Sequence, residues 1–155
     1  MSRPQMPPGS LRMDLALLVL RLAGLGLAVF HGWPKLESLL VGTSRFAEGL
    51  ASMGFPMPVA FAWAAALSET VGGLLVFLGF GTRIAAAFCA ITMLVAAFAR
   101  HHAYDQLLGK LGLATITPEA EKIWGSPELA LVYFLAFVTL ILAGAGRLSL
   151  DRGRR

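Results

Sequence analysis

Four long stretches of the chain are almost free of charged residues and are separated by shorter polar connections. Each stretch is close to the roughly 20 mostly apolar residues that a helix needs to cross a bilayer. The pattern predicts four membrane-spanning helices, over residues of about 13–33, 58–80, 83–101 and 127–146. Pro34 predicts the end of the first helix, and Pro127 followed by Glu128 is typical of a helix start.

The connections between these stretches contain shorter helical patterns. Residues 44–53 carry apolar side chains at helical spacing with charged residues between them, which predicts a short helix lying in the membrane interface. Residues 104–113 show a similar pattern and are a candidate second short helix that caps the bundle. The proline-rich start, 1–12, predicts a flexible tail. The fold class is therefore all-α, a four-transmembrane-helix bundle in a single membrane domain over residues 1–155.

Composition supports a membrane protein and excludes several other classes. Of the 155 residues, 57% are hydrophobic and 14% are charged, and the mean hydropathy is +0.71. Soluble domains carry roughly a quarter charged residues, so a soluble globular enzyme and a disordered tail are excluded. The net charge of +4 is small and scattered, which suits loops beside an anionic membrane and not a nucleic-acid binder.

The distribution of basic residues predicts the orientation. With four spans, the two termini and the connection between the second and third spans lie on one side of the membrane. That side carries seven basic residues against five on the other, and Arg21 lies within the first span. Because cytoplasmic loops are enriched in Lys and Arg, both termini are predicted to face the cytoplasm.

Two ionisable residues lie deep in the predicted spans, Arg21 in the first and Glu69 in the second. Ionisable groups inside a membrane are costly, which makes them candidates for function. At 100° per residue, Arg21 shares a face of small residues with His31, and Lys35 joins that face if the helix continues past Pro34. Glu69 lies in a matching stripe of small residues, which predicts that the two stripes pack together.

The predicted cluster of Arg21, His31, Lys35 and Glu69 has two interpretations. It is either a structural clamp that orients the helices, or the floor of a polar cavity that handles protons or binds a polar headgroup. The depths of Arg21, Glu69 and His31, at roughly 10, 18 and 25 Å into the membrane, allow extended side chains to meet.

Other chemistry has little support in the sequence. The single cysteine, Cys89, cannot form an intrachain disulfide or a redox pair and is typical of a small buried filler. The three histidines, His31, His101 and His102, lack the spacing of a metal site, and no metal is predicted. No phosphate-binding loop, dinucleotide fingerprint or nucleophile arrangement is present.

Several motifs, taken in order, resemble the DoxX family of small bacterial membrane proteins. They cover about residues 15–151 of the chain. They are Arg21-Leu-Ala-Gly-Leu-Gly, Phe30-His31-Gly32-Trp33-Pro34-Lys35-Leu36, Glu69-Thr-Val-Gly-Gly-Leu-Leu, Gly79-Phe-Gly-Thr-Arg83-Ile-Ala-Ala, Pro127-Glu128-Leu-Ala-Leu and Gly146-Arg147-Leu-Ser-Leu-Asp151. The connection over residues 104–126 is longer than expected for the family.

The resemblance implies a four-helix bundle in the bacterial inner membrane with both termini inside. It also implies an association with quinone-linked or oxidative-stress redox chemistry, because the family takes its name from subunits of a thiosulfate:quinone oxidoreductase. Quinone is then the candidate cofactor, and the chain is at most a subunit of an oxidoreductase. The expected partners are the lipid bilayer, a soluble redox enzyme and a second copy of the chain.

Two further functions remain open. The chain is alternatively a non-catalytic scaffold that recruits soluble redox enzymes to the membrane, since it carries no redox group of its own in sequence. A permease or proton pathway is the third possibility, although four short spans without an inverted repeat argue against a lone transporter.

Overall fold

The computed structural model describes residues 9–42 and 44–154, and these residues form helices and connections without β-strands. Three π-helical turns, π1 to π3, interrupt the long helices. The elements in chain order are α1 (Gly9–Leu27), π1 (Ala28–Gly32), α2 (Trp33–Leu40), α3 (Arg45–Ser52), α4 (Pro58–Leu67), π2 (Ser68–Gly72), α5 (Gly73–Leu78), α6 (Thr82–Val95), π3 (Ala96–Arg100), α7 (Ala103–Lys110), α8 (Pro118–Trp124), α9 (Glu128–Ala143) and a final 3-10 turn (Leu150–Arg154).

Three continuous helices are long and apolar enough to cross a membrane. They are Leu11–Leu40, Pro58–Leu78 and Thr82–Arg100. The pair α8 and α9 passes the same test only together, across a bend of 42°. The all-α class is confirmed, and the described chain has three to four candidate spans.

The prediction that Pro34 ends the first helix is wrong, because α2 continues eight residues from Trp33 to Leu40. Pro34 lies two residues after the end of π1. At that end the Trp33 amide donates to the carbonyl of Ala28, five residues earlier. A proline normally breaks a helix because its ring clashes with the preceding turn. The wider π turn gives the ring room, so the helix continues.

The shorter predicted helices are also observed. The helix predicted over residues 44–53 is α3, whose first turn is capped by Ser44 accepting from the Ala47 amide at 3.1 Å. The helix predicted over 104–113 is α7, and α8 was not predicted. Of the predicted tail, residues 1–8 lie outside the described residues and residues 9–12 belong to α1.

The helices pack in pairs around a small apolar core. α1 packs along α5, α6 packs along α9, and α3 covers α4. Small residues allow the closest approach: a Cβ added at Gly24 would lie 2.5 Å from the carbonyl oxygen of Gly73, and one added at Gly73 would lie 3.2 Å from the Ala28 Cβ. These glycines and alanine belong to the two small-residue stripes, which therefore do face each other, as expected for helices packing in lipid.

The bundle has two distinct ends. We call the end with the turn between α5 and α6 the terminal end, because residues 144–154 fold back onto it. The Asp151 carboxylate accepts from the amides of Gly81 and Thr82 at 2.8 and 2.9 Å and from the Thr82 hydroxyl at 2.8 Å. The Asp151 amide donates to the carbonyl of Gly79 at 2.8 Å. The opposite end, which carries α3, α7 and α8, we call the loop end.

We expect Asp151→Ala to destabilise the protein by about 2 kcal/mol, because it removes the acceptor for the first amides of α6. Thermal denaturation in detergent micelles measures the change. Asp105→Ala is the matched control, since the Asp105 side chain is 51% exposed and its polar contact among the described residues is with His102, at 3.1 Å. Equal melting temperatures for the two variants would contradict a stabilising role for the folded-back segment.

Candidate functional site

A buried ion pair joins the first two spans. Lys35 Nζ lies 2.6 and 2.7 Å from the two carboxylate oxygens of Glu69. The Glu69 side chain is 1% exposed and that of Lys35 is 25% exposed. The Lys35 ammonium also lies 4.7 Å from the ring centroid of Phe46, a cation–π contact from α3. One cation thus connects α2, the second span and the short helix α3.

Two π turns bring these groups together. Glu69 lies in π2, and Lys35 lies one turn beyond π1. The turns touch at Gly32, where an added Cβ would lie 2.5 Å from the Thr70 amide nitrogen and 2.7 Å from the Glu69 carbonyl carbon. The absence of a side chain at Gly32 lets α2 approach closely enough for Lys35 to reach the carboxylate. Such π turns are frequent at functional sites.

The ion pair borders a cavity of about 590 Å³ at the loop end. Ligand pockets usually have volumes of roughly 300–1,000 Å³ and mostly apolar walls. Most of the lining here is apolar or aromatic. The lining residues are Lys35, Arg45, Phe46, Gly49, Leu50, Met53, Phe55, Phe61, Ala64, Ala65, Ser68, Glu69, Phe88, Ile91, Thr92, Val95, Ala96, Ala99, Arg100 and His101.

Polar groups line the cavity in two places besides the ion pair. On the wall between π2 and α6, Thr92 Oγ1 lies 3.0 Å from Ser68 Oγ. At the loop end the lining includes Arg45, Arg100 and His101. The Arg100 Nη1 donates to the carbonyl of Ile123 at 3.0 Å. The site therefore combines a long apolar wall with a small number of fixed polar groups.

The cavity extends along α6 and is open sideways. Phe88 and Arg100 both line it, and twelve residues of helix between them span about 18 Å. Phe88 and Ile91 are each 60% exposed, and they lie on a helix that is long and apolar enough to cross the membrane. In a helix that crosses the membrane these exposed side chains face lipid, so the outward side of the cavity borders the bilayer.

Arg21 does not meet Glu69, so the predicted contact between them is wrong. Arg21 is 1% exposed and donates to the carbonyl of Leu148 in the folded-back segment. Its guanidinium packs against Gly79 at the terminal end. Nε and Nη1 of Arg21 are buried without a hydrogen-bond partner among the described residues. Arg21 therefore fastens the C-terminal segment to the bundle and lies outside the cavity lining.

His31 also points away from Glu69. Its ring packs edge-on against Tyr133 of α9, with centroids 5.9 Å apart. The prediction assumed a constant rotation of 100° per residue, but π1 contains one more residue than an α-helical turn. Side chains after π1 are therefore rotated by about 100° relative to the positions expected from α1. Of the four candidates, the structure brings together Lys35 and Glu69 and separates Arg21 and His31 from them.

Of the predicted candidates only Lys35 and Glu69 line the cavity, and the missed lining residues include Phe46, Thr92 and Arg100. Thr92 is a hydroxyl-bearing residue in the uncharged run over 84–99, and Arg100 is the charge that ends this run. Both carry a sequence signal, although a weak one. Phe46 carries none, because only the packing of α3 over α4 places its ring beside Lys35.

The histidines at the loop end make local contacts. His101 Nδ1 lies 2.6 Å from the Trp124 carbonyl oxygen. The His102 ring stacks on the Trp124 ring, with centroids 4.4 Å apart, and its Nδ1 lies 3.1 Å from an Asp105 carboxylate oxygen. The described residues include no group of three or more His, Cys, Asp or Glu side chains that could hold a metal ion.

Apolar helices of spanning length, large exposed apolar side chains and a cavity open to lipid define a multi-pass α-helical membrane protein. The DoxX family profile matches residues 16–102. The chain therefore belongs to the DoxX family. The matched range begins within α1, continues through π3 and includes the Lys35–Glu69 pair. The motifs that open and follow α9 lie beyond it.

Two similar proteins come from Escherichia coli strain K12. Inner membrane protein YphA is 31% identical over 136 residues, covering 88% of this chain and 88% of its own. Inner membrane protein YqjF is 29% identical over 139 residues, covering 90% of this chain and 92% of its own. An uncharacterized protein of Haemophilus influenzae is 34% identical over 120 residues, covering 73% of this chain and 78% of its own. No solved structure matches the chain. The protein is a multi-pass inner membrane protein.

Proposed function

We propose that the protein binds a quinone-like molecule in the loop-end cavity and acts as a membrane subunit of a redox system. The observation that carries this proposal is a cavity of about 590 Å³ that joins an apolar wall, open to the bilayer, to a buried Lys35–Glu69 pair. A quinone has the matching parts, a ring with polar oxygens and an apolar chain.

Lys35 is the proposed hydrogen-bond donor to the ring. A lysine ammonium has three N–H groups, and the two Glu69 oxygens accept two of them, at 2.6 and 2.7 Å. The third N–H remains for a bound carbonyl oxygen, in competition with the Phe46 ring. Glu69 orients the Lys35 side chain, and the pair is the proposed proton-handling group beside the ligand.

The apolar wall is the proposed site of the ring and its chain. Phe61 of α4 and Phe88 of α6 line the cavity together with small residues such as Ala65. Aromatic side chains favour offset or edge-on contact with a second ring. The alanines leave the width that a flat ring requires, and their apolar surface excludes water from the polar groups.

Electrons in this proposal come from a soluble redox enzyme that docks on the membrane subunit. The family association and the lack of a redox group in the sequence support this division of labour. We also propose that both termini face the cytoplasm, because the terminal side carries seven basic residues against five. A second copy of the chain remains a proposed partner.

Ala65→Phe tests the proposal by filling the cavity. Ala65 lines the cavity and is half-buried, whereas Ala60 on the same helix is exposed and outside the lining. We expect Ala65→Phe to weaken the binding of a prenylated naphthoquinone at least about tenfold through overpacking, while Ala60→Phe leaves it unchanged. Titration of the detergent-purified protein, followed by tryptophan fluorescence or calorimetry, gives both dissociation constants.

The unaltered protein provides the decisive comparison. Absence of quinone binding, together with no quinone in a lipid extract of the purified protein, would overturn the binding proposal. That result would favour the alternative function, a scaffold that recruits soluble redox enzymes and has no ligand of its own.

A further inference from the structure

We infer that the cavity selects an acidic, hydroxylated quinone in its ionised form over a neutral quinone of the same shape. This inference rests on the proposed function and specifies the substrate class of the same site. It comes from the charges in the cavity wall. Among the described lining residues, three cations, Lys35, Arg45 and Arg100, accompany one carboxylate, Glu69.

Lys35 and Glu69 compensate each other, whereas neither arginine of the lining forms an ion pair with a described residue. The ion pairs observed among the described residues include Lys35–Glu69, His102–Asp105 and Arg147–Asp14. Glu48, the acidic residue of α3, does not line the cavity. The lining therefore carries two positive charges that no side chain among the described residues neutralises.

The Arg100 guanidinium is positioned by hydrogen bonds from one of its nitrogens, and its other N–H groups remain available as donors. Its Nη1 donates to the carbonyls of Ile123 and Trp124, at 3.0 and 3.4 Å. Its Nε and Nη2 make no hydrogen bond within the described part of the chain. A guanidinium fixed through one nitrogen presents the others in a known direction, and a negatively charged oxygen is the acceptor that it binds most strongly.

Arg45 and Arg100 are both exposed beside a mostly apolar wall. Their attraction for an anion is therefore screened by salt and is strongest at low ionic strength. A neutral quinone leaves both arginines uncompensated when it displaces water from them. A hydroxyquinone that has lost its proton supplies the missing charge and keeps the flat ring and apolar chain.

The test compares two probes that differ in one ionisable proton. Lapachol is a hydroxynaphthoquinone with a prenyl chain and is ionised at neutral pH, and its methyl ether has the same ring and chain without the acidic proton. We expect the detergent-purified protein to bind lapachol about tenfold more tightly than the ether at low salt. Arg45→Gln and Arg100→Gln should each reduce this preference several-fold, and Arg100→Lys should retain most of it.

Arg83→Gln is the matched control. Arg83 also donates to a helix carbonyl, that of Leu142 at 3.3 Å, but it lies outside the cavity lining. We expect this variant to keep the full preference for lapachol. The Arg45 side chain makes no hydrogen bond or ion pair among the described residues, so Arg45→Gln tests the charge without removing a polar contact.

The outcomes separate this inference from the proposed function. Equal binding of lapachol and its ether would overturn the selectivity for an anion and leave quinone binding intact. Absence of binding by both probes would overturn the two proposals together. A preference for lapachol that persists in Arg45→Gln and Arg100→Gln would show that the arginines are not the selecting groups.

Discussion

Replacing Lys35 with methionine is expected to destabilise the protein by about 3–5 kcal/mol. The substitution keeps most of the apolar length of the side chain but removes the charge that compensates Glu69. The carboxylate, 1% exposed and 2.6 Å from the ammonium in the native protein, is then left buried without a counter-ion. Stranding a buried charge costs much more than the net value of the pair that contained it.

A double-mutant cycle measures this effect. Thermal or denaturant unfolding of Lys35→Met, Glu69→Gln and the double variant in the same detergent gives the coupling energy. We expect the double variant to be more stable than Lys35→Met alone, because no charge remains buried. Lys122→Met is the control, since Lys122 is exposed on α8. Additive losses in the cycle would contradict a coupled pair.

Replacing Gly32 with alanine is the second change with a large expected effect, about 3 kcal/mol of destabilisation. The new methyl group would lie 2.5 Å from the Thr70 amide nitrogen and 2.6 Å from the Thr70 hydroxyl oxygen. These atoms belong to a packed helix and cannot move independently. The contact between π1 and π2 must therefore widen, which draws Lys35 away from Glu69.

Gly49→Ala provides the control for the stability effect only, because Gly49 itself lines the cavity. Gly49 lies within α3, and an added Cβ there has nothing within 4 Å. Because alanine favours the helix over glycine, we expect it to be neutral or to stabilise by up to about 1 kcal/mol. Gly32→Ala should also weaken quinone binding through Lys35. A Gly32→Ala variant that melts like the unaltered protein would show that the two π turns do not pack tightly in solution.

The pattern of apolar residues was sufficient to predict the all-α class and the approximate bounds of the second and third long helices. The second and third helices begin and end within about three residues of the predicted positions, because Pro58 and the glycines of the connecting turn are strong local signals. The facing stripes of small residues were predicted for the same reason. Close packing in lipid requires them, so they are visible at helical spacing.

Of the four candidate residues the structure brings together only Lys35 and Glu69. Two features that local sequence does not reveal separate Arg21 and His31 from them. The π turn at residues 28–32 rotates the side chains that follow it relative to those before it. The spacing of apolar residues along the sequence does not reveal such a turn. The C-terminal segment folds back over about 70 residues of chain to meet the α5–α6 turn, and it supplies the Leu148 carbonyl that holds Arg21. Lys35 then takes the place beside Glu69 that was predicted for Arg21.

The cavity opens sideways along Phe88 and Ile91. The fraction of the site that is occupied therefore depends on the composition of the membrane. For a guest that enters from the membrane, occupancy follows its abundance in the membrane and not its level in water. The apolar chain of the proposed guest favours the membrane over water, which raises its concentration beside the opening. Growth conditions that change the pool of isoprenoid compounds would therefore change the bound fraction without any change in the protein.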